Sequence, residues 1–287
     1  MLARPSRTRP ALALAALLLM ASACTEGGGD PLGLDRTPTT RAPGGGDGSP
    51  GGGDGGGGGG PPPATVEDSG GVGANGPAIL RGSIPYLIIE VDFQDGVKPS
   101  EEALDYLANV LGAVVDKPEG ISFQGGNQFS SPRTSWTTQD LRDAAATNRT
   151  RYSHPGRVVI YLLYVRGGFA EDDEETSALG VAYSASEVGI FPERWSGLGM
   201  LLGGGDAVER AVVTHEAGHL LGLVNLTYTS DAPHEDPDHP GHSASDESVM
   251  FWAVDTTAVG QLFSGPPPDA FDADDLADLE GLKSGRY

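Results

Sequence analysis

Cysteine is all but missing from this chain. Cys24 is the only one among 287 residues, so the folded part cannot close an internal disulfide, and a packed core or a bound metal must hold it together. Basic residues are also scarce. Lys and Arg number 18 against 40 Asp and Glu, for a formal charge of −22. That balance excludes the positive footprint that nucleic acids and anionic membrane surfaces require, and it suits a protein kept soluble outside the cell. Internal repeats are absent. The acidic run Glu171, Asp172, Asp173, Glu174 and Glu175 lacks the alternating ligands and turn glycine of an EF-hand, so it reads as a solvated loop. The apolar run near the N-terminus, ALALAALLLM, is too short to cross a bilayer.

That run follows Arg4, Arg7 and Arg9 and precedes Ala21, Ser22 and Ala23, the pattern of a signal peptide over residues 1–23. Cys24 then stands directly after the small residues, which resembles the lipobox of bacterial lipoproteins. The resemblance implies export, diacylation of Cys24 and anchoring to a membrane of the cell envelope; without lipidation the protein would be secreted. Residues 24–76 are dominated by Gly, Pro, Asp and Thr, including GGGDGGGGGG, and are expected to form a disordered tether. Residues 77–287 remain for a single domain of about 200 residues.

Within the domain, IPYLIIEVDF reads as a buried strand, and SEEALDYLANVLGAVVDK as a helix capped by Ser100. TTQDLRDAAATNR predicts a second helix capped by Thr137 or Thr138, and GRVVIYLLYVRGG a central strand. Leu179 to Phe191 is expected to be an edge strand. DAVERAVVTHEAGHLLGL predicts a long helix with Asp206 as N-cap and Gly222 at its end, and DADDLADLEGL a short acidic helix.

The long helix carries the chemistry. His215, Glu216 and His219 form the pattern HExxH, which puts two imidazoles one turn apart on one face, where they can grip one zinc ion. Glu216 is then placed to take a proton from a zinc-bound water and pass it to a leaving amine. A buried Glu between two His is costly without a metal to compensate.

A catalytic zinc commonly takes a third protein ligand and keeps a water in the fourth position. His215, Glu216, His219 and Gly222 match the HExxHxxG of the metzincin metallopeptidases, which this chain resembles. Where that clan carries its third histidine this sequence has Asn225, a poor ligand. Farther on, His242, Ser243, Ser248 and Met250 stand in the spacing H-S-x4-S-x-M, similar to the H-C-x4-C-x-M of archaemetzincins with serine for each cysteine. The resemblance implies His242 as third ligand and Met250 as the methionine turn beneath the metal. His242 comes 23 positions after His219 rather than 6, an insertion of 17 residues, and surface loops lengthen at little entropic cost. His239, His234 and the carboxylates Asp236 and Glu235 are the alternatives for the third ligand.

The resemblance implies an α+β, metzincin-like fold: a twisted mixed sheet, an active-site helix and a small loop-rich C-terminal subdomain. It implies a zinc-dependent endopeptidase, an extended peptide or protein substrate added to the edge strand, and a specificity pocket walled by Phe251 to Val254. The protein is expected to be monomeric. No tyrosine follows Met250 directly, and Cys24, the only cysteine, lies in the export signal, so no cysteine latency switch is expected. Completion of the site by Glu280 of the terminal helix is a weaker reading. Outside enzymes, the alternative is a non-catalytic surface lipoprotein that binds a metal or a partner.

Overall fold

The computed structural model describes residues 65–172 and 177–287. The expected signal peptide, Cys24, most of the tether and Asp173, Glu174 and Glu175 lie outside the described residues. Packing starts ahead of residue 77: Val66 lies against the core, and Asp68 accepts from the Ser153 amide at 2.8 Å and pairs with Arg149 at 3.2 Å.

A short helix α1 (Gly76–Leu80) leads into β1 (Tyr86–Gln94), buried at every position after the first. Helix α2 (Glu101–Val114) begins where the Ser100 side chain accepts from the Ala103 amide, as its sequence predicts, and Glu101 and Glu102 complement the helix dipole. Strand β2 (Gly120–Phe129) follows. Its sequence GISFQGGNQF buries a continuous stretch only over Ile121 to Phe123, too little apolar patterning to read as a strand in advance. After β3 (Ser135–Trp136), helix α3 (Thr138–Asn148) opens on a capping box between Thr137 and Asp140. Strand β4 (Val158–Tyr164) is wholly buried, and β5 (Gly168–Phe169) pairs with β3.

Leu179 to Phe191, expected as one edge strand, is a hairpin of β6 (Gly180–Ala182) and β7 (Glu187–Ile190). The polar SAS between them turns the chain, so only β6 is an edge. The main sheet runs β2-β1-β4-β7-β6, parallel throughout except for β6, which is antiparallel to β7. Helices α4 (Gly205–Leu221), α5 (Val259–Leu262) and α6 (Ala273–Ser284) complete the six α-helices among the described residues. The fold is thus a mixed α/β arrangement on a mostly parallel sheet. Asp206 is not the N-cap of α4: Gly204 holds that position without a side-chain bond, and Asp206 sits in the first turn.

Alternation along the strands sorts side chains to the two faces of the sheet. Val158, Ile160, Leu162 and Tyr164 join the core that contains the apolar faces of α2 and α4, whereas Tyr161, Leu163 and Val165 pack with Trp136, Leu141 and Ala145 on the α3 side. Glu209 of α4 is buried in the first core, where its Oε1 accepts from the Ser100 amide at 2.8 Å and the Tyr164 hydroxyl at 3.0 Å. Burial pushes this carboxyl up to about 7.

Because the folded value lies above the unfolded one, this group's contribution is complete below the unfolded pKa and is lost as pH rises through about 7. Glu209→Gln keeps the accepting oxygen and removes the titration. Urea unfolding at pH 5 and pH 8 should show the variant losing about 2 kcal/mol less stability across that interval than the parent. An unchanged loss would mean the carboxyl is ordinary.

Candidate metal centre

Helix α4 delivers His215, Glu216 and His219 to one place because i and i+4 lie on one face. The His215 and His219 ring centroids are 4.7 Å apart, nearly perpendicular at 82°. His215 Nδ1 lies 2.7 Å from the Val249 carbonyl and His219 Nδ1 lies 2.9 Å from the Leu223 carbonyl. A carbonyl only accepts, so each Nδ1 carries the hydrogen and each Nε2 offers a lone pair. Burial holds His215 down to about 4 and His219 down to about 3, with neighbouring imidazoles adding to the effect. Both are therefore neutral at pH 7, the form that binds metal.

His242 arrives from the loop after α4. Its ring lies 5.2 Å from that of His215 and 5.1 Å from that of His219. The loop is folded back by specific bonds. Asn225, in the left-handed region at φ 57°, donates to Glu235 Oε2 at 2.8 Å and accepts from the Ser230 amide at 2.8 Å. Glu235 Oε1 accepts from the Gly241 amide, next to His242, at 2.9 Å. The residue standing where the clan has its third histidine thus anchors the excursion that returns His242.

The alternatives are engaged elsewhere. His239 stacks on Trp252 at 4.2 Å and 6°, with Nδ1 2.8 Å from Asp236. His234 Nε2 lies 2.9 Å from Asp278, which also accepts from Tyr228 and Ser230. Of the terminal helix, Asp275 accepts from Ser248 and Glu280 pairs with Lys283.

Met250 is fully buried beneath the helix. A Cβ on Gly218 would meet its Sδ at 2.3 Å, so the glycine inside HEAGH is what admits the methionine. Ser243 donates its amide to the Met250 carbonyl at 2.8 Å, and the Met250 amide donates to Ser248 Oγ at 2.8 Å. The two serines close the turn, and Val249 within it orients His215.

Asp255 is the residue the sequence did not single out. Its Oδ2 lies 3.7 Å from His215 Nε2 and 3.8 Å from His242 Nε2, too long for hydrogen bonds. Donor atoms of His215, His219, His242 and Asp255 all lie within 4.8 Å of one another. A lone Asp in AVDTT has no spacing signal; only the fold brings it here. Although burial opposes its charge, the surrounding histidines hold Asp255 below the usual carboxylate range. Burial likewise works against protonating His242, but Asp255 outweighs it and holds that imidazole up.

Glu216 is buried, and its carboxylate abuts Gly180 of β6, where a Cβ would stand 2.6 Å from Oε1. Burial pushes its pKa well above the usual range; the Asp255 charge adds, and the Ala182 amide, near the carboxylate but outside hydrogen-bonding geometry, opposes only partly.

Buried polar atoms are nearly always satisfied. Here His215 Nε2, both nitrogens of His242, Asp255 Oδ1 and both Glu216 oxygens have no hydrogen-bond partner. Orphans gathered at one point fit a divalent cation, and imidazole nitrogens with one carboxylate fit zinc.

Among solved structures, the chain is similar to an archaemetzincin from Methanopyrus kandleri, at 15% identity and a TM-score of 0.45, over 69% of this chain and 96% of that one. An archaemetzincin from Archaeoglobus fulgidus, solved with malonate, gives 13% and 0.38 over 68% and 99%. Metalloproteinase-II from Bacteroides fragilis gives 12% and 0.35 over 70% and 54%. No protein-family model matches the chain. No curated protein matches it either. The chemistry of the site stands on its donor atoms and not on these distant likenesses.

Proposed function

We propose that the chain is a zinc-dependent endopeptidase, with His215, His219 and His242 as metal ligands and Glu216 as catalytic base. The observation that carries this reading is a buried Glu216 carboxylate with no hydrogen-bond partner beside converging imidazoles. A structural metal site has no use for such a group. Zinc, when bound, supplies an acidified water and polarisation of the scissile carbonyl. Glu216 takes the proton from the attacking water, for which its place beside the first histidine positions the carboxylate. It returns that proton to the departing amine nitrogen as the peptide C–N bond breaks. Strand β6 has a neighbour on one side only, so an extended peptide can add to its free edge through backbone hydrogen bonds. Of the segment after Met250, Ala253 and Val254 are buried, leaving Phe251 and Trp252 to meet a substrate side chain. In this proposal the enzyme is exported, tethered through Cys24 and monomeric, and it acts on peptide or protein and not on nucleic acid.

A metal-holding protein without turnover is the second reading. Asp255 favours it, because a set of four protein donors is the mark of a closed structural zinc site. Full-length protein incubated with an unstructured protein such as casein separates them. Cleavage should stop when zinc is stripped by 1,10-phenanthroline and return when zinc is restored. A zinc-loaded protein that cleaves nothing would select the second reading, and cleavage indifferent to the chelator would remove both.

A further inference from the structure

The geometry points to Asp255 as an internal fourth ligand that closes the metal centre in the absence of substrate and must be displaced before hydrolysis. The inference rests on the reading of His215, His219 and His242 as metal ligands. Hydrolysis needs a coordination position open to water, yet these donors are joined by Asp255 Oδ2 at 3.7 Å from His215 Nε2 and 3.8 Å from His242 Nε2. Its other oxygen, Oδ1, is buried and has no hydrogen-bond partner. Among the described residues no Lys or Arg is paired with it, so the imidazoles around it or a cation in the centre must balance its charge. Glu216, equally unpartnered, has no function in a centre that stays closed. The two carboxylates together therefore call for a site with two states.

Asp255 is placed to leave. Its side chain is 17% exposed, so the carboxylate can be rehydrated without unpacking the core. Its backbone is tied to the chain leading into the edge strand. The Asp255 carbonyl accepts from the Leu179 amide at 2.6 Å, Thr257 donates its amide to the Ser177 carbonyl at 2.9 Å, and Ala178 bridges Thr256. Leu179 directly precedes β6. A peptide adding to β6 therefore acts on the same ladder that holds Asp255 against the imidazoles, and with a metal bound the carboxylate would turn to solvent and leave its position free for water. Substrate binding and opening are one event.

Cobalt makes this visible. Full-length protein loaded with Co2+ is titrated with azide, and the visible absorption of the metal reports entry of an exogenous ligand. In wild type azide should perturb the spectrum only weakly; in Asp255→Ala it should bind at least about tenfold more tightly, the factor expected if the carboxylate holds the position nine-tenths of the time. Asp255→Asn, nearly the same shape, provides the comparison should the alanine variant fail to fold, and circular dichroism checks both. Equal azide affinity in wild type and a folded variant overturns the inference while leaving the metal reading intact. A wild-type protein that takes up no Co2+ overturns the metal reading itself, and the inference with it.

Discussion

If the proposed function holds, replacing Glu216 with Gln should lower peptide turnover by about 10²- to 10⁴-fold, the usual contribution of a positioned general base, while zinc content should be unchanged. The amide keeps the shape that Gly180 makes room for but cannot accept a proton from water. The same substitution removes a buried carboxylate that has no hydrogen-bond partner, so the metal-free protein should melt no lower than wild type and can melt higher. Lost activity with retained stability and retained metal is the signature of a group kept for chemistry at a cost to the fold. Steady-state cleavage, metal analysis and a thermal melt on one preparation measure all three. Turnover equal to wild type would remove Glu216 from the mechanism.

On the proposed ligand set, His242→Ala should weaken zinc binding by more than the roughly 10- to 100-fold that changes to groups behind the ligands cost in metal sites, because a direct donor would be lost. Stabilisation by added zinc shrinks in proportion, by about 1.4 kcal/mol for each tenfold loss of affinity at saturating metal. His239→Ala is the matched control. It removes a ring stacked on Trp252 at 4.2 Å and should leave zinc affinity where it was. Competition against a chromophoric chelator measures both variants. If His239→Ala weakens binding and His242→Ala does not, the third ligand has been misassigned.

Legibility followed the range of the interactions. Ser100 and Thr137 announced their helices because a cap bonds to an amide three residues on. Strand β4 announced itself by an unbroken apolar run, and β1 by a β-branched and aromatic run interrupted at Glu90 and Asp92. Strand β2 did not, since its burial is confined to a short stretch and its pairing with β1 is long-range. The hairpin of β6 and β7 was blurred because Gly180, Gly189 and the small residues between them yield no clean alternation. Asp206 looked like a cap by type, but the chain enters α4 through Gly204.

By itself the sequence determined the pairing of His215 with His219 and the place of Glu216 beside them, because helix geometry alone puts residues four apart on one face. Which histidine joins them, and that Asp255 joins too, only the tertiary structure decided. Those two side chains reach the centre through the Asn225 to Glu235 anchor, the Met250 turn and the ladder from Ser177 to Leu179. The H-S-x4-S-x-M spacing hinted at His242 and Met250 without excluding the neighbouring histidines, and the ladder that brings Asp255 in joins segments nearly 80 residues apart, which no local spacing encodes.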